Sequence, residues 1–286
     1  MKTVIYKSMQ HLRIKNVLYP IFTQHIELKI YKTHIMKRAY SLIIAVAFGA
    51  TSFNASAASN IVNIGHTLPS TAIGTINQEN RDVKNFNGVA AGGPIEVIIT
   101  LGNSEGLKFE GDAEAIATLV SEVKGNILII RPKTSWTSWS HKYENKKIIA
   151  RVSAKTISSL TMSGNGSIKV NGTVQATELA TTLSGSGTIT ANIDADKLTS
   201  VISGSGSVNL TGKTDDANIT LSGSGQFSGK TLSMDNLNTR ISGSGSVNVK
   251  VEDNIKALVS GSGRVNYSGN PTVEQRVIGS GGVSKI

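Results

Sequence analysis

Apolar and polar residues alternate through the second half of the chain, and a Ser-Gly-x-Gly motif interrupts the alternation at regular intervals. In each copy the residue before the Ser is apolar, as is the fifth residue after it. The fourth and sixth residues after it are mostly Ser, Thr, Asn or Lys. Alternation with a period of two and many β-branched residues is typical of strands that bury one face. The pattern therefore predicts two short strands in each copy, joined at the glycines.

The motif recurs every 18–21 residues, which indicates a stacked repeat architecture. Its copies begin at Ser163, Ser184, Ser203, Ser222, Ser242 and Ser260, and a degenerate copy covers 278–281. The period is too short for helical repeats of about 34 residues or propeller blades of about 40. We therefore expect an all-β fold, a parallel β-helix or β-solenoid of about seven coils. The coils should be right-handed, because right-handed crossovers dominate in parallel sheets.

The glycines of each motif are expected to form a structural corner. Glycine adopts positive φ and lets neighbouring backbones approach closely. Valine at Gly204 or Gly223 should therefore destabilise the protein more than alanine at the outward-facing Asn209. A phosphate-binding loop is not favoured, because such a loop leads into a helix with a Lys behind it, whereas these glycines lead into strands.

Residues 81–157 show a different pattern and are expected to form an N-terminal cap. Strands are predicted at 95–101, 107–110, 126–131 and 147–152. Asp112 is predicted to begin a helix. Four apolar residues would share one face of that helix: Ile116, Leu119, Val120 and Val123. A solenoid needs an end that prevents strand pairing at its open edge, and this strand-helix-strand unit is well placed to be that cap.

The N-terminal residues carry the features of an export signal. Residues 36–57 combine a positively charged start, a short apolar run and small residues at the end, which is typical of a secretory signal peptide. Because Met36 alone opens a complete signal, residues 1–35 are interpreted as a mis-called extension. The apolar run is shorter than the roughly 20 residues that span a bilayer, so we expect no transmembrane segment in the mature chain.

The remaining composition fits an exported, thin-cored protein. The net charge is +10, but residues 1–57 contribute +7 and the rest only +3, so we expect no nucleic-acid partner. The absence of Cys excludes disulfides and cysteine-ligated metals. Residues 58–80 are rich in Ser, Thr and Asn and are expected to be a flexible arm, whereas 158–286 hold the repeats.

Three stretches precede the Ser-Gly-x-Gly coils in a characteristic order. They are Val83-Lys84-Asn85-Phe86, Gly92-Gly93-Pro94-Ile95-Glu96-Val97 and Gly125-Asn126-Ile127-Leu128-Ile129. In this order the chain resembles the head GIN domain family of auto-transporter adhesins, over about residues 81–286. The resemblance implies an exported right-handed β-helix, and it carries over no catalytic residues.

Two sets of residues are candidate ligand-binding sites. The first consists of aromatic residues in the polar segment 135–145, namely Trp136, Trp139 and Tyr143. These rings could stack on sugars, or they could cover the hydrophobic face of the cap. The second is the outward-facing polar stripe of the coils, with Asn209, Asn248 and Asn266. A repetitive hydroxyl and amide ladder suits glycans or other cell-surface components, although it could simply solvate the sheet.

Acidic residues recur ten to thirteen residues after the Ser of successive coils. They are Asp194, Asp196, Asp215, Asp216, Asp235, Glu252 and Asp253. Stacking would line them along one edge, where carboxylates could bind Ca²⁺ or, beside a basic residue, resemble a polysaccharide-lyase site. Solvated turns are the simpler explanation, since Asp is common in turns. Because the offsets drift and repeat no fixed ligand set, we expect no metal site and no cofactor.

The sequence favours a non-enzymatic exported protein, an adhesin or a glycan-binding protein of the cell envelope. Only two histidines, His66 and His141, follow the signal, which leaves little for acid-base catalysis. The expected location is the periplasm or the outer surface of a Gram-negative bacterium. The alternatives are a polysaccharide-active β-helix enzyme that uses the acidic turn edge, and a purely structural envelope protein.

Overall fold

The computed structural model describes residues 77–143 and 146–286. The predicted signal peptide (36–57), the extension before it (1–35) and almost all of the predicted arm (58–80) lie outside the described residues.

Five long strands, each about one repeat in length, form the body of the protein. They are β9 (Ser167–Gly185), β10 (Thr188–Gly204), β11 (Ser207–Gly223), β12 (Gln226–Gly243) and β13 (Ser246–Gly261). Each pairs in parallel with the next, so each repeat is one rung of a stack. The predicted all-β solenoid of about seven turns is thereby confirmed.

Shorter strands complete the stack after β13. Strand β14 (Arg264–Ser268) pairs in parallel with the first part of β13, and β15 (Thr272–Ile278) pairs with its second part. Strand β16 (Gly282–Lys285) then pairs with β14. In the described part of the chain, β15 and β16 are therefore the last strands of the stack at this end.

At the other end, the order of strands in the stack differs from their order in the sequence. Strands β2 (Gly88–Gly92) and β3 (Glu96–Leu101) pair in parallel with β8 (Ser159–Gly164) and β9, respectively. On their opposite side they pair with β6 (Ile127–Pro132) and β7 (Ile148–Ala154). The rung made by β2 and β3 therefore lies between two rungs that follow it in the sequence.

Antiparallel strands cover the outer edge of this end. Strand β4 (Gly106–Gly111) pairs with β7, β5 (Leu119–Lys124) pairs with β6, and β1 (Asn77–Arg81) pairs with β4. Two short helices connect these strands, α1 (Ala113–Ala117) and α2 (Trp136–Lys142). Each of the four strands predicted between residues 95 and 152 is present within one or two residues of its expected bounds.

The predicted helix after Asp112 is only partly correct. Asp112 does begin helix α1, and its side chain accepts a hydrogen bond from the backbone N–H of Ala115 at 3.0 Å. The helix ends at Ala117, however, and Leu119, Val120 and Val123 belong to strand β5. Because β5 forms a full antiparallel ladder with β6, its backbone finds more partners as a strand than it would in a lone helical turn.

The Ser-Gly-x-Gly corners stack directly on one another. The backbone N–H groups of Ser205 and Gly206 both donate to the carbonyl of Gly185 in the preceding rung, each at 2.9 Å. Gly204, the first glycine of that corner, has a φ of +120°. A Cβ atom at Gly204 would lie 2.5 Å from the Gly185 carbonyl oxygen. The corner therefore requires glycine for both its backbone conformation and its close packing.

The core is built from columns of apolar residues, one residue from each rung. The position five residues after each Ser forms such a column, and all its members are fully buried. They are Ile168, Ile189, Val208, Phe227, Val247 and Val265. The apolar alternation in the sequence thus predicts the inward-facing side correctly.

The carboxylate of Glu105 holds the segment that leads into β2. It accepts hydrogen bonds from the backbone N–H groups of Asn85 and Phe86, at 3.2 and 3.3 Å. The hydrogen bond from Asn85 is the main reason that the pKa of Glu105 lies below its usual value. The hydrogen bond from Phe86 and the nearby Lys155 ammonium lower the pKa further. The ionised carboxylate therefore stabilises the fold above the usual glutamate pKa, and this contribution is lost as the pH falls through the lowered value.

We expect Glu105→Gln to lower the melting temperature at pH 7 and to have a smaller effect at pH 3. The reason is that the carboxylate loses its charge as the pH falls through the lowered pKa of Glu105, so less of its contribution is left to remove at pH 3. Thermal unfolding at both pH values measures the difference. Asp253→Asn, which removes an exposed carboxylate of β13, is the matched control. An equal loss from Glu105→Gln at both pH values would contradict the proposed role of the charge.

Candidate functional site

A concave groove of about 510 Å³ runs along the outer face of the stack between two polar columns. Its floor lies over three buried apolar residues from successive rungs, Ala217, Leu237 and Ile255. Its walls come from strands β10 to β13 and β15. We call it the amide groove, after the asparagines that line it: Asn218, Asn236, Asn238 and Asn254.

The first wall is a hydrogen-bonded column. In register from rung to rung it contains Lys197, Asp216, Asn236, Asn254 and Thr272. The Nδ2 of Asn236 donates to Asp216 Oδ1 at 3.0 Å, and the Nδ2 of Asn254 donates to Asn236 Oδ1 at 2.9 Å. Since an amide has two N–H donors and an oxygen that accepts twice, this ladder fixes the amides and leaves each of them capacity for a ligand.

The second wall lies two residues further along each strand. In register it contains Asn218, Asn238, Lys256 and Glu274. Lys256 and Glu274 form an ion pair at 3.3 Å at one end of the groove. At the other end, Lys197 of the first wall pairs with Glu178 at 2.9 Å. The groove therefore has amides and the Asp216 carboxylate along its walls and an ion pair at each end.

Backward counting from the glycine corners finds both walls in the sequence. The first wall lies six residues before the Ser of the next motif, and the second lies four residues before it. Counted forward from the preceding Ser, the same positions drift. The irregularities in register lie before these positions, as between Asn209 and Gly212 and between Met234 and Asn236. The forward count therefore misses the asparagine columns, which a backward count detects.

The asparagines predicted as a binding stripe share one column on a different part of the rungs. Asn209, Ser228, Asn248 and Asn266 are in register from β11 to β14. Asn266 donates to Asn248 Oδ1 at 2.9 Å, and Asn248 is only 8% exposed. Asn209 accepts from Ser207 Oγ at 3.3 Å. Binding by this stripe stays a prediction, and its side chains are less open to solvent than the groove walls.

The predicted aromatic residues lie on or beside helix α2. Trp139 is 2% exposed, and its Nε1 donates to Thr118 Oγ1 at 2.7 Å. The ring of Tyr143 is also buried, with its centroid 5.1 Å from that of Trp139. The side chain of Trp136 lies outside the described residues. Burial of Trp139 and Tyr143 favours the packing alternative for these two rings, while sugar stacking stays a prediction.

The acidic turn edge separates into two groups. Asp194 is in register with Lys213 and forms an ion pair with it at 3.3 Å. The second group holds one residue from each of three neighbouring rungs, Asp196, Asp215 and Asp235. The residues on both sides of each Asp are in register with those of the next rung, so the three aspartates stack on one another. In the described residues, no group of three His, Asp or Glu side chains is arranged to hold a metal ion. The turn carboxylates are exposed to solvent.

Comparisons with known proteins support the predicted family. The family model described as "Putative auto-transporter adhesin, head GIN domain" matches residues 85–271. No curated protein matches the chain. A membrane-spanning helix, long and apolar enough to cross a bilayer, is not found within residues 77–143 and 146–286.

Several solved structures share the fold. A "putative adhesin" of Bacteroides fragilis has a TM-score of 0.66 and 21% identity, over 74% of this chain and 97% of that one. A "putative adhesin" of Parabacteroides distasonis has a TM-score of 0.59 and 23% identity, over 75% and 98%. A "putative lipid binding protein" of the same organism has a TM-score of 0.57 and 21% identity, again over 75% and 98%. These TM-scores show a shared fold, and the family model, which matches more than half of the sequence, shows that the chain belongs to the head GIN domain family.

Proposed function

We propose that the protein is an exported, non-enzymatic binding protein of the cell envelope that holds a glycan in the amide groove. The observation that carries this proposal is the pair of ordered polar columns that line the two sides of the groove. Amide groups offer donors and acceptors that match sugar hydroxyls and N-acetyl groups. Ligand sites commonly place a few fixed polar groups where they converge on a bound molecule.

The length of the groove suits a linear polymer. Its first wall extends from Lys197 to Thr272 across five neighbouring strands. At about 4.8 Å between strands, this wall is about 20 Å long. A chain of several sugar rings could lie along it and meet a similar set of groups at each rung. Because the Asp216 carboxylate lies among the amides, the groove favours an uncharged or N-acetylated glycan over a strongly anionic one.

The broader assignment follows from the family. Its description and two of the structural neighbours refer to adhesins, which supports a surface or exported protein and a binding function. We propose that the protein acts in the periplasm or on the outer surface of a Gram-negative bacterium, with glycans or other surface components as partners. The solenoid is proposed to be right-handed, and the antiparallel strands β4 and β5 are proposed to act as its N-terminal cap.

We expect the double variant Asn236→Ala/Asn254→Ala to weaken glycan binding by about tenfold or more, because each lost hydrogen bond contributes about 1 kcal/mol. Titration calorimetry with a neutral glucan, an N-acetylated glycan and an anionic polyuronide measures the affinity. Phospholipid vesicles test the lipid binding for which one neighbour is named. The matched control is Asn248→Ala/Asn266→Ala, which removes another stacked asparagine pair with the same 2.9 Å hydrogen bond.

Comparison of the two double variants distinguishes the possible binding sites. Loss of binding only in the groove variant supports the amide groove. Loss only in the Asn248/Asn266 variant would place the site on the outward stripe and contradict the groove. Release of shorter sugar chains by the wild-type protein would support the polysaccharide-active enzyme, and Asp215→Asn would then test the acidic turn. Binding to vesicles but to none of the glycans would overturn the proposed ligand class.

A further inference from the structure

The end of the stack formed by β15 has an open edge. Strand β15 pairs with β13 on one side, and no strand in the described part of the chain pairs with its other side. The exposed large hydrophobic residues of the described chain all lie in this region: Val277, Ile278 and Ile286. An exposed strand edge with apolar residues is a template for pairing with another strand.

The core is also incomplete at this edge. The inward positions of β15 are Val273, Gln275 and Val277, which are in register with Ile255, Ala257 and Val259 of β13. All three residues of β13 are buried, with Val259 at 0% exposure, whereas Val277 is 37% exposed. One more strand on this edge would bury the inward side chains of β15 as β15 buries those of β13.

The sequence of β15 is complementary to itself in the antiparallel direction. Reading outward from Gln275 in Thr272–Ile278, the flanking pairs are Glu274 with Arg276, then Val273 with Val277, and then Thr272 with Ile278. Each pair also shares a face of the sheet, because its members lie at equal distances from Gln275. Opposite charges and apolar side chains that face each other across strands stabilise such a pair.

We propose that β15 pairs antiparallel with β15 of a second copy, with the two-fold axis at Gln275. Glu274 of each copy then faces Arg276 of the other on the outer surface. Val273 of each copy faces Val277 of the other in the extended core. A two-fold axis joins a surface to the same surface of the partner, which is the arrangement that a self-complementary strand requires. The two solenoids therefore join end to end.

The charged residues of β15 are consistent with a second copy as the partner. Glu274 contacts Lys256 of its own chain at 3.3 Å on one side and is 74% exposed. Arg276 has no acidic side chain within ion-pair distance among the described residues. In the proposed dimer, Glu274 of the second copy pairs with this Arg276. Because the interface is symmetric, the same ion pair forms twice.

Cysteine cross-linking tests the register directly, since the chain contains no cysteine. In the proposed dimer, residue 275 faces its own copy across the two-fold axis, at a Cβ separation of about 5 Å. We expect Gln275→Cys to form a covalent dimer under mild oxidation or with a short bis-maleimide. Thr272→Cys is the control, because it lies three residues from the axis and its copies are about 20 Å apart. Equal cross-linking at both positions would overturn the register.

Charge reversal tests the same register without a covalent bond. By sedimentation equilibrium, we expect the wild-type protein to be a dimer and Arg276→Glu to be a monomer. The exchange Glu274→Arg/Arg276→Glu should restore the dimer, because it re-creates both opposite-charge pairs. A wild-type monomer at all concentrations, or a failure of the exchange to restore association while the variant remains folded, would overturn the proposal. Cross-linking of the Gln275→Cys variant to a different protein, with no self-cross-link, would show that the edge binds another partner and would also overturn it.

Discussion

Gly223→Ala is expected to lower the free energy of unfolding by about 3 kcal/mol, and Gly223→Val by more. Gly223 has a φ of +113°, a conformation that side chains other than glycine rarely adopt. A Cβ atom there would lie 2.6 Å from the carbonyl oxygen of Gly204. That carbonyl cannot move freely, because it accepts the backbone N–H of Ser224 at 2.9 Å. The substitution therefore combines backbone strain with a collision inside a hydrogen-bonded column.

Denaturant unfolding of Gly223→Ala beside Gly106→Ala measures this effect. Gly106 begins strand β4, and a Cβ atom added there would have no atom within 4 Å. The control therefore makes the same chemical change where there is space for it. Asn209→Ala, on the outward stripe, provides a second comparison and should cost less than Gly223→Ala. Similar midpoints for Gly223→Ala and Gly106→Ala would show that the corner does not depend on glycine.

The period of the sequence predicts most of the solenoid because one repeat forms one rung. The apolar positions before and five residues after each Ser are buried in every full copy of the motif. The corner glycines fall where the stacked backbones leave no room for a Cβ atom. These features depend on contacts between equivalent residues of neighbouring rungs, so a pattern that repeats in the sequence also repeats in space.

The N-terminal strands are harder to predict because their partners are distant in sequence. Leu119, Val120 and Val123 have spacing that fits a helical face, and only the ladder with β6 makes that segment a strand. The stack order, with β2 and β3 between rungs that follow them in the chain, has no local signal. Pairing between strands that are far apart in sequence is decided by tertiary packing, which can override local propensity.

The amide groove shows why a site can escape a correct fold prediction. The inward and outward faces of each rung follow from alternation, but the rungs differ in length by up to three residues. The extra residues are absorbed at register shifts such as the one between Gly229 and Ser233. Only positions after such a shift keep a constant distance to the next corner. Asn236 and Asn254 therefore align in space although their distances from the preceding Ser differ.

Phe227→Ala should lower the free energy of unfolding by about 3–5 kcal/mol, the usual cost of removing a buried phenylalanine. Phe227 is fully buried in a column whose other members are isoleucine and valine. The rung accommodates the larger ring because the next inward position is Gly229. A Cβ atom at Gly229 would lie 2.9 Å from Cε1 of Phe227. The ring thus fills space that a side chain occupies in the other rungs.

The fit between Phe227 and Gly229 can be tested by replacing both residues with valine. Strand β13 carries valine at both of the positions in register with them, Val247 and Val249. Phe227→Val alone should leave a cavity, and Gly229→Val alone should overpack the core by contact with the ring, at about 1–3 kcal/mol. The double variant Phe227→Val/Gly229→Val should be more stable than the sum of the two losses predicts, by about 1–2 kcal/mol. A double-mutant cycle from denaturant unfolding measures that coupling. Strictly additive losses would mean that the ring and the glycine do not share one space, since only a shared volume makes each substitution compensate for the other.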